Sequence, residues 1–390
     1  MASKLRNNFL PEFLAFITGR PKPSMVTVNL TSRCNQHCIY CEIGQGITSE
    51  SNGSLTKENL FWILDEMASQ KLTRISLCGG EPFLFEGLME IVVYAGKKKI
   101  RCSITSNGMT LHKLKEEEYA ILRQYIADIN LSIDSFEEEI QVLTRGTATA
   151  LSNALLSIEK LKKEQIPFTV LTAISTYNYQ HLFSFIVQAH QAGIRQVLFQ
   201  PIIYYTNYPD RISIQSKERL NVPLSGVEEL MDNLYQIKNF EKDHNIRTNV
   251  YRILPWIDAY LSGISNQEGH WFFEEFLRTF YCREIHAAID IAYDGGIQPC
   301  GLTRAEINIR DAGNSGLMEL WKKATREIKS DISQGKYYPY CNACCHKFSR
   351  NMYASVMKYP FRNRAAVRKI LPLLINRSLT MARKKTLNLK

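Results

Sequence analysis

The sequence predicts an α/β fold built on a parallel sheet. Strand-like runs rich in β-branched residues alternate with helical patterns through the first 205 residues, in six units of about thirty residues each. Strands that alternate with helices imply parallel pairing through right-handed crossovers. Polar or glycine-containing turns follow several of these strands, which is where the chemistry of such folds belongs. Six units could close partly into a barrel or lie as an open sheet.

The predicted elements follow one another in order along the chain. Strands are predicted at residues 25–31, 73–78, 100–105, 128–134, 168–174 and 195–203. Helices are predicted at 55–70, 86–98, 112–125, 150–163, 179–192 and 225–243, and Thr56 is the expected N-cap of the first. Cys78 and Cys102 fall within strand patterns and are expected to be buried, inert thiols.

Composition limits the class of protein. Of the 390 residues, 45% are hydrophobic and 22% charged, as in ordinary globular proteins, and no apolar run is long enough to span a membrane. The ten cysteines cluster in motifs and do not spread as a disulfide framework, which favours a reducing cytoplasm. The expected organisation is an amphipathic segment at 1–24, the β/α core at 25–205, a helical connection at 206–280, a cysteine-rich domain at 281–350 and a basic tail at 351–390.

The positive charge is confined to the C-terminal end. The net charge is +10, and residues 332–390 contain thirteen Lys and Arg but no Asp or Glu, which leaves 35 basic and 38 acidic residues elsewhere. A solubilising tail is one explanation. The others are binding to an anionic membrane surface, an acidic or phosphorylated substrate, or nucleic acid. The predicted location is therefore cytoplasmic, with peripheral membrane contact as an option.

Three cysteines follow the first predicted strand in the sequence "SRCNQHCIYC". Cys34, Cys38 and Cys41 are spaced C-x3-C-x2-C. A disulfide uses two thiols, and a closed zinc site wants four ligands. Three thiolates on one loop suit a metal centre that keeps one position open. The alternative is a zinc site completed by His37 or by a remote residue.

This loop, with the aromatic Tyr40 just before the third cysteine, resembles the motif of the radical S-adenosylmethionine (radical SAM) superfamily. The resemblance covers about residues 25–205 and implies a partial (β/α)6 TIM-like barrel. It implies that Cys34, Cys38 and Cys41 bind three irons of a 4Fe-4S cluster, and that S-adenosylmethionine (SAM) occupies the fourth iron through its amino and carboxylate groups. Soft thiolates suit such clusters.

The same resemblance implies a set of residues that bind SAM. The "GGEP" sequence is similar to the motif that receives the methionine amino group, and "TSNG" is similar to the polar strand end lining the pocket. "LSID" contains two residues that match ribose-binding positions, and the arginine of "TRG" could pair with the SAM carboxylate. Together with Tyr40 of the cysteine loop, these residues are Gly79, Gly80, Glu81, Pro82, Thr105, Ser106, Asn107, Ser132, Asp134 and Arg145.

A second cysteine set lies near the C-terminal end. Cys282, Cys300, Cys341 and Cys344 accompany the sequences "YDGGIQPC" and "GNSGLMELWKK". This resembles the SPASM auxiliary-cluster domain, in its shortened twitch form, and implies one fully ligated 4Fe-4S cluster. Cys345 adjoins Cys344 and competes with it as the ligand. A structural zinc site of four cysteines is the alternative.

The resemblance also implies the reaction. A reduced cluster cleaves SAM to methionine and a 5'-deoxyadenosyl radical, which abstracts a substrate hydrogen, and the auxiliary cluster accepts a second electron in a net oxidation. The reductant would be a flavodoxin or ferredoxin. The expected substrate is a polyol, sugar or lipid-linked molecule, with a ribosomally made peptide as the alternative. A zinc-containing nucleic-acid-binding protein is the alternative of another class, which the β/α repeat and "GGEP" disfavour. No catalytic base is evident in the sequence.

Overall fold

A parallel sheet organises the computed structural model, which describes residues 23–46, 54–202, 220–265, 280–301, 303, 305–338, 341, 344 and 348–368. The predicted segment at 1–24 lies almost wholly outside these residues, as do Cys345 and the end of the basic tail. The strands are β1 (Met25–Asn29), β2 (Arg74–Cys78), β3 (Arg101–Ser106), β4 (Ile126–Ser132), β5 (Phe168–Ile174), β6 (Val197–Pro201), β7 (Ala288–Ile291), β8 (Gly296–Gln298) and β9 (Ile307–Asn308).

The six predicted β/α units are present in the predicted order. The strands lie in the order β6-β5-β4-β3-β2-β1-β7-β8-β9, and β1 to β6 pair in parallel with their sequence neighbours. The described strands form an open series with β6 at one end, which agrees with the partial TIM-like barrel that the resemblance implies.

Helices connect the strands and extend beyond them. They are α1 (Lys57–Ser69), α2 (Leu88–Lys97), α3 (Glu116–Tyr125), α4 (Glu138–Arg145), α5 (Ala150–Lys163), α6 (Leu182–Gln191), α7 (Val227–Asp243), α8 (Val250–Ile253), α9 (Ile257–Ser265), α10 (Glu284–Ala287), α11 (Leu317–Ala324), α12 (Arg326–Ser333) and α13 (Phe348–Lys358). Thr56 is the N-cap of α1, as predicted, and its hydroxyl accepts from the Asn59 backbone while the Asn59 side chain accepts from the Thr56 backbone.

The two faces of the sheet differ in chemistry. On one face, Val26, Val28, Ile75, Leu77 and Ile104 are fully or almost fully buried in a core shared with the helices. The residues between these along each strand point to the other face, here called the polar face, and their side chains are half-buried. Its members are Thr27, Asn29, Ser76, Cys78, Ser103, Thr105, Asp128, Asn130, Ser132 and Asp290. Parallel sheets usually carry apolar residues on both faces, so this face is adapted to something other than core packing.

The cysteine-rich region continues the same sheet. β7 pairs in parallel with β1, Met25 opposite Ala288, and β8 and β9 follow as antiparallel strands. The indole of Trp321 in α11 donates to the Ala288 carbonyl at 3.1 Å. The Leu317 backbone donates to Glu66 of α1 at 2.7 Å. The second cysteine set is therefore built onto the edge of the β/α core.

Candidate active site

The first cysteine loop lies between the C-terminal end of β1 and the last turn of α4. The His37 backbone donates to the Arg145 carbonyl and the Ile39 backbone donates to the Thr144 carbonyl, both at 3.1 Å. These two bonds resemble a strand pairing and fix the backbone on both sides of Cys38. The end of α4 is thus a support for the three thiols.

A glycine makes this close approach feasible. Gly146 ends α4 with a left-handed φ of +64°, and a Cβ built on it would lie 2.3 Å from the His37 carbonyl oxygen. The position therefore requires both the backbone freedom of glycine and its lack of a side chain.

The "GGEP" turn holds the cysteine loop from the other side. The Gly80 backbone donates to the Thr31 carbonyl at 2.7 Å, and the Glu81 backbone donates to the Arg33 carbonyl at 2.9 Å. A Cβ on Gly80 would lie 2.0 Å from the Arg33 carbonyl oxygen. The turn after β2 can contact the loop after β1 only because no side chain stands between them.

Glu81 joins this turn to the end of β3. Its carboxylate is fully buried and accepts from the Phe83 backbone at 3.1 Å, the Ser106 hydroxyl at 2.9 Å and the Asn107 backbone at 2.8 Å. Burial raises its pKa, although these donors oppose the shift. The described contacts give Glu81 a structural role between two of the predicted SAM-binding sequences.

Asn107 extends this network to the thiols. Its side-chain nitrogen donates to Asn35 at 2.7 Å and lies 3.7 Å from the Cys34 sulfur. On the polar face beside it, Asn130 donates to the Thr105 hydroxyl at 3.4 Å. Pro82 begins a short 3-10 turn directly after Glu81. The structure therefore brings "GGEP", "TSNG" and the cysteine loop together at the C-terminal ends of β1, β2 and β3.

A buried ionic group lies under Cys38. The Arg145 guanidinium donates to the Asp134 carboxylate at 2.8 Å, and the Tyr40 hydroxyl donates to its other oxygen. A second guanidinium nitrogen lies 4.0 Å from the Cys38 sulfur. Burial is the largest single effect on the pKa of Arg145 and lowers it, but the charges of Asp134, Tyr40 and Cys38 and the hydrogen bond to Asp134 together raise the pKa overall. Ser132, at the end of β4, is half-buried on the polar face two residues before Asp134.

One buried donor in this group has no partner. Arg145 Nε is buried, and no acceptor among the described residues receives its hydrogen. An unsatisfied nitrogen on a guanidinium that lies 4.0 Å from the Cys38 sulfur favours an anionic group in the same space.

The three thiols fit a cluster by their chemistry. Burial raises the pKa of each, that of Cys38 to about 11, and their mutual proximity contributes to the shift of Cys34 and Cys38. Positively charged iron would stabilise the thiolates that burial disfavours. Within the described chain no three His, Cys, Asp or Glu side chains are arranged to hold a single metal ion. A four-iron cluster does not require the three thiols to converge on one point, because each cysteine binds a separate iron.

A family model decides the nature of this site. The model for the radical SAM superfamily matches residues 28–187, which include the cysteine loop, "GGEP", "TSNG" and Arg145. Residues 28–187 are a radical SAM domain. Such a domain implies a 4Fe-4S cluster and SAM, and the thiols and the unsatisfied Arg145 nitrogen fit both.

The chain is similar to several proteins whose names give different activities. It is 28% identical to the AdoMet-dependent heme synthase of Methanosarcina barkeri over 44% of this chain and 48% of that protein. It is 24% identical to the GTP 3',8-cyclase of Helicobacter pylori, over 79% and 88%. It is 27% identical to the sporulation killing factor maturation protein SkfB of Bacillus subtilis, over 44% and 40%. The match thus spans less than half of the first and third of these relatives.

Solved structures share the fold of the radical SAM domain and its extensions. Native anSMEcpe with bound AdoMet and Cp18Cys peptide has a TM-score of 0.60 at 20% identity, over 93% of this chain and all of that one. At this level of identity the similarity concerns the fold alone.

The second cysteine set lies beside the radical SAM domain, where β7 continues the sheet from β1. Cys282 and Cys300 pack against the same small cluster of Ile285, Ile328 and Ile332. Burial raises the pKa of Cys282 to about 12, and the nearby Cys341 adds to the shift. The Cys344 backbone donates to the Cys341 carbonyl at 3.4 Å. The structure therefore brings members of this set into one neighbourhood.

Two features of the radical SAM domain were missed by the sequence reasoning. Asp128 lies on the polar face, and its carboxylate accepts a hydrogen bond from the Thr169 hydroxyl of β5 at 2.9 Å. The parallel pairing of β4 with β5 brings the two side chains together. Cys102 is fully buried, as predicted, but Cys78 is half-buried on the polar face, where its thiol donates to Asn29 at 3.1 Å. Alternation along each strand is the signal that would have identified this face.

Proposed function

We propose that the chain is a radical SAM enzyme that oxidises a polar substrate held against the polar face of the sheet. The observation that carries this proposal is the polar face itself, which begins beside the cysteine loop. One lateral row crosses five strands, as Asp290, Thr27, Ser76, Ser103 and Asp128 stand in register. Hydroxyl, amide and carboxylate groups at half-buried positions favour a substrate rich in hydrogen-bonding groups.

The radical chemistry comes from the bound cluster and SAM, which together supply a 5'-deoxyadenosyl radical when the cluster is reduced. Cys34, Cys38 and Cys41 would hold the cluster, and the partnerless Arg145 nitrogen is available to the SAM carboxylate. The "GGEP" and "TSNG" turns and Ser132 and Asp134 would bind the rest of SAM. Their contacts to the cysteine loop support this assignment because one network orients them all.

The proposed oxidation requires a second electron acceptor. Cys282, Cys300, Cys341 and Cys344 would hold an auxiliary 4Fe-4S cluster of the SPASM or twitch type. The shared packing of Cys282 and Cys300 and the proximity of Cys282 to Cys341 support it. An acceptor at the β7 edge would adjoin the polar face, since Asp290 of β7 is a member of that face. A flavodoxin or ferredoxin would supply the first electron.

A polyol, sugar or lipid-linked molecule is the substrate class we propose. The similarity to GTP 3',8-cyclase, which spans most of both chains, supports a small polar substrate. A ribosomally made peptide is the second candidate, favoured by the similarity to the maturation protein SkfB. The radical SAM match disfavours a zinc-containing nucleic-acid-binding protein, since it accounts for the first cysteine loop without zinc.

The test measures 5'-deoxyadenosine formed by the reduced, cluster-loaded protein. Extract of the source organism, divided into polar small-molecule, lipid and peptide fractions, is added to separate reactions. Stimulation by the small-molecule or lipid fraction is expected, and it should weaken in Ser76→Val while slow unstimulated cleavage persists. Stimulation by the peptide fraction alone would replace the first candidate with the second.

A further inference from the structure

One aromatic side chain near the end of the described chain is unusually exposed. Phe361 is 82% exposed, whereas the other exposed large apolar side chains, such as Leu224 and Tyr235, are about half exposed, at 48% and 49%. Met357, one turn before, is 51% exposed, and Pro360 between them is exposed as well. Single exposed apolar residues are normal on proteins, but a group with a protruding phenyl ring is not.

The turn that carries Phe361 is anchored to the protein. The Asn363 side chain is buried and donates to the Ser355 carbonyl of α13 at 3.0 Å. The Tyr359 backbone donates to the same carbonyl at 2.9 Å, and Ala366 is fully buried in the core. Because the residues on both sides are fixed inward, Phe361 is held outward by the fold.

The surface around this ring is positively charged. Arg362, Arg364 and Arg368 are exposed, and within the described part of the chain none of them forms an ion pair. The sequence has no Asp or Glu after Asp331, so no acidic neighbour in this segment offsets them. Unpaired guanidinium groups beside an exposed phenyl ring match a partner that is anionic at its surface and apolar beneath it.

We propose that Met357, Pro360, Phe361, Arg362, Arg364 and Arg368 form a surface that binds an anionic lipid bilayer. The phenyl ring would enter the boundary between headgroups and acyl chains, and the arginines would pair with lipid phosphates. None of the described helices is long and apolar enough to cross a membrane, and this surface needs none. The inference goes beyond the proposed function.

The test is co-sedimentation of the full chain with lipid vesicles. One set of vesicles is phosphatidylcholine alone. The other contains about one third of the anionic lipid phosphatidylglycerol, to which each basic residue near the membrane surface should add binding energy. The wild-type protein is expected to sediment with the anionic vesicles only. Salt near 1 M, where the Debye length is about 3 Å, should release most of it.

Matched variants locate the contact. Phe361→Ser is expected to weaken binding about tenfold or more, because the side chain would no longer leave water. Leu224→Ser, at another exposed apolar position, should bind as the wild type does. Arg362→Gln with Arg364→Gln should reduce the preference for anionic vesicles. Circular dichroism of each variant checks that the fold is kept.

Three outcomes would overturn the proposal. They are no sedimentation of the wild type with anionic vesicles, equal binding by Phe361→Ser, and binding only to an added RNA or acidic peptide. The assay needs no SAM cleavage, so its failure is distinguishable from failure of the proposed enzymatic function.

Discussion

Arg145 and Asp134 form a buried ion pair directly beneath the cysteine loop, with a nitrogen-oxygen distance of 2.8 Å. The same guanidinium approaches the Cys38 sulfur, and the same carboxylate receives the Tyr40 hydroxyl. One residue pair therefore connects the end of α4, the end of β4 and the loop that carries the three thiols.

Removing one member of this pair should be costly. Arg145→Leu leaves the Asp134 carboxylate buried without its cation, and we expect the cluster-free protein to lose about 3 kcal/mol of unfolding free energy. Urea denaturation gives this value. The double variant Asp134→Asn with Arg145→Leu should cost clearly less than the sum of the two single changes, since it leaves no charge of the pair buried. Additive costs would contradict the coupling of the pair.

Gly146→Ala should impair cluster loading. The added methyl would meet the His37 carbonyl at 2.3 Å and displace the loop around Cys38. Iron content after anaerobic reconstitution is the measurement, and a clear loss is expected.

Gly335→Ala is the matched control for that change. Gly335 also has a positive φ, +77°, but a Cβ there would meet nothing within 4 Å. Both variants carry a backbone cost of about 1 kcal/mol, and only Gly146→Ala should lose iron. Equal iron loss in the two would show that backbone strain, and not the contact with the loop, is responsible.

The polar face gives a pH-dependent stability through Asp128. Burial raises its pKa to about 6, against the hydrogen bond from Thr169, which lowers it. A carboxyl group with a raised pKa favours the folded state when protonated, so this contribution is present below about pH 4 and is lost as the pH rises through about 6. Asp128→Asn should therefore be more stable than the wild type by about 1 to 2 kcal/mol at pH 8 and similar at pH 4.

Urea denaturation at the two pH values tests this prediction. Thr169→Val removes the donor that favours the charged carboxylate, so it should enlarge the difference between pH 4 and pH 8. An Asp128→Asn variant that is less stable than the wild type at pH 8 would contradict the assignment.

The second cysteine set should determine how much iron the protein binds. The wild type is expected to load about eight irons per chain, and Cys300→Ala about four, because the remaining cluster needs only the first cysteine loop. SAM cleavage should persist in Cys300→Ala while oxidised product is lost. Full iron content with normal product would remove the auxiliary cluster from the account.

Local periodicity explains which parts of the fold could be predicted. Helix α5 and strand β5 have the predicted bounds, 150–163 and 168–174, because their apolar spacing is regular and their pairing is with sequence neighbours. Helix α4 was not predicted. Its eight residues are mostly polar, and its role is to support the cysteine loop, which no local pattern reveals.

Long-range pairing explains the remainder. The continuation of the sheet through β7 depends on Met25 lying opposite Ala288. Strand propensity predicts that a segment is extended but does not predict which distant strand it pairs with. The contact of Asp128 with Thr169 likewise depends on register between neighbouring strands. The thiols and glycine turns were predicted because a motif marks them, whereas the hydrogen bonds that join them required the structure.

The most direct test of the central claim compares the wild type with Cys38→Ala. Both are reconstituted anaerobically with iron and sulfide, reduced, and incubated with SAM, and 5'-deoxyadenosine is measured by chromatography. The wild type should form it, and Cys38→Ala should form none while keeping about four irons at the second cysteine set. A reduced wild-type protein that contains the full iron and yet leaves SAM intact would contradict the account, as would cleavage that survives in Cys38→Ala.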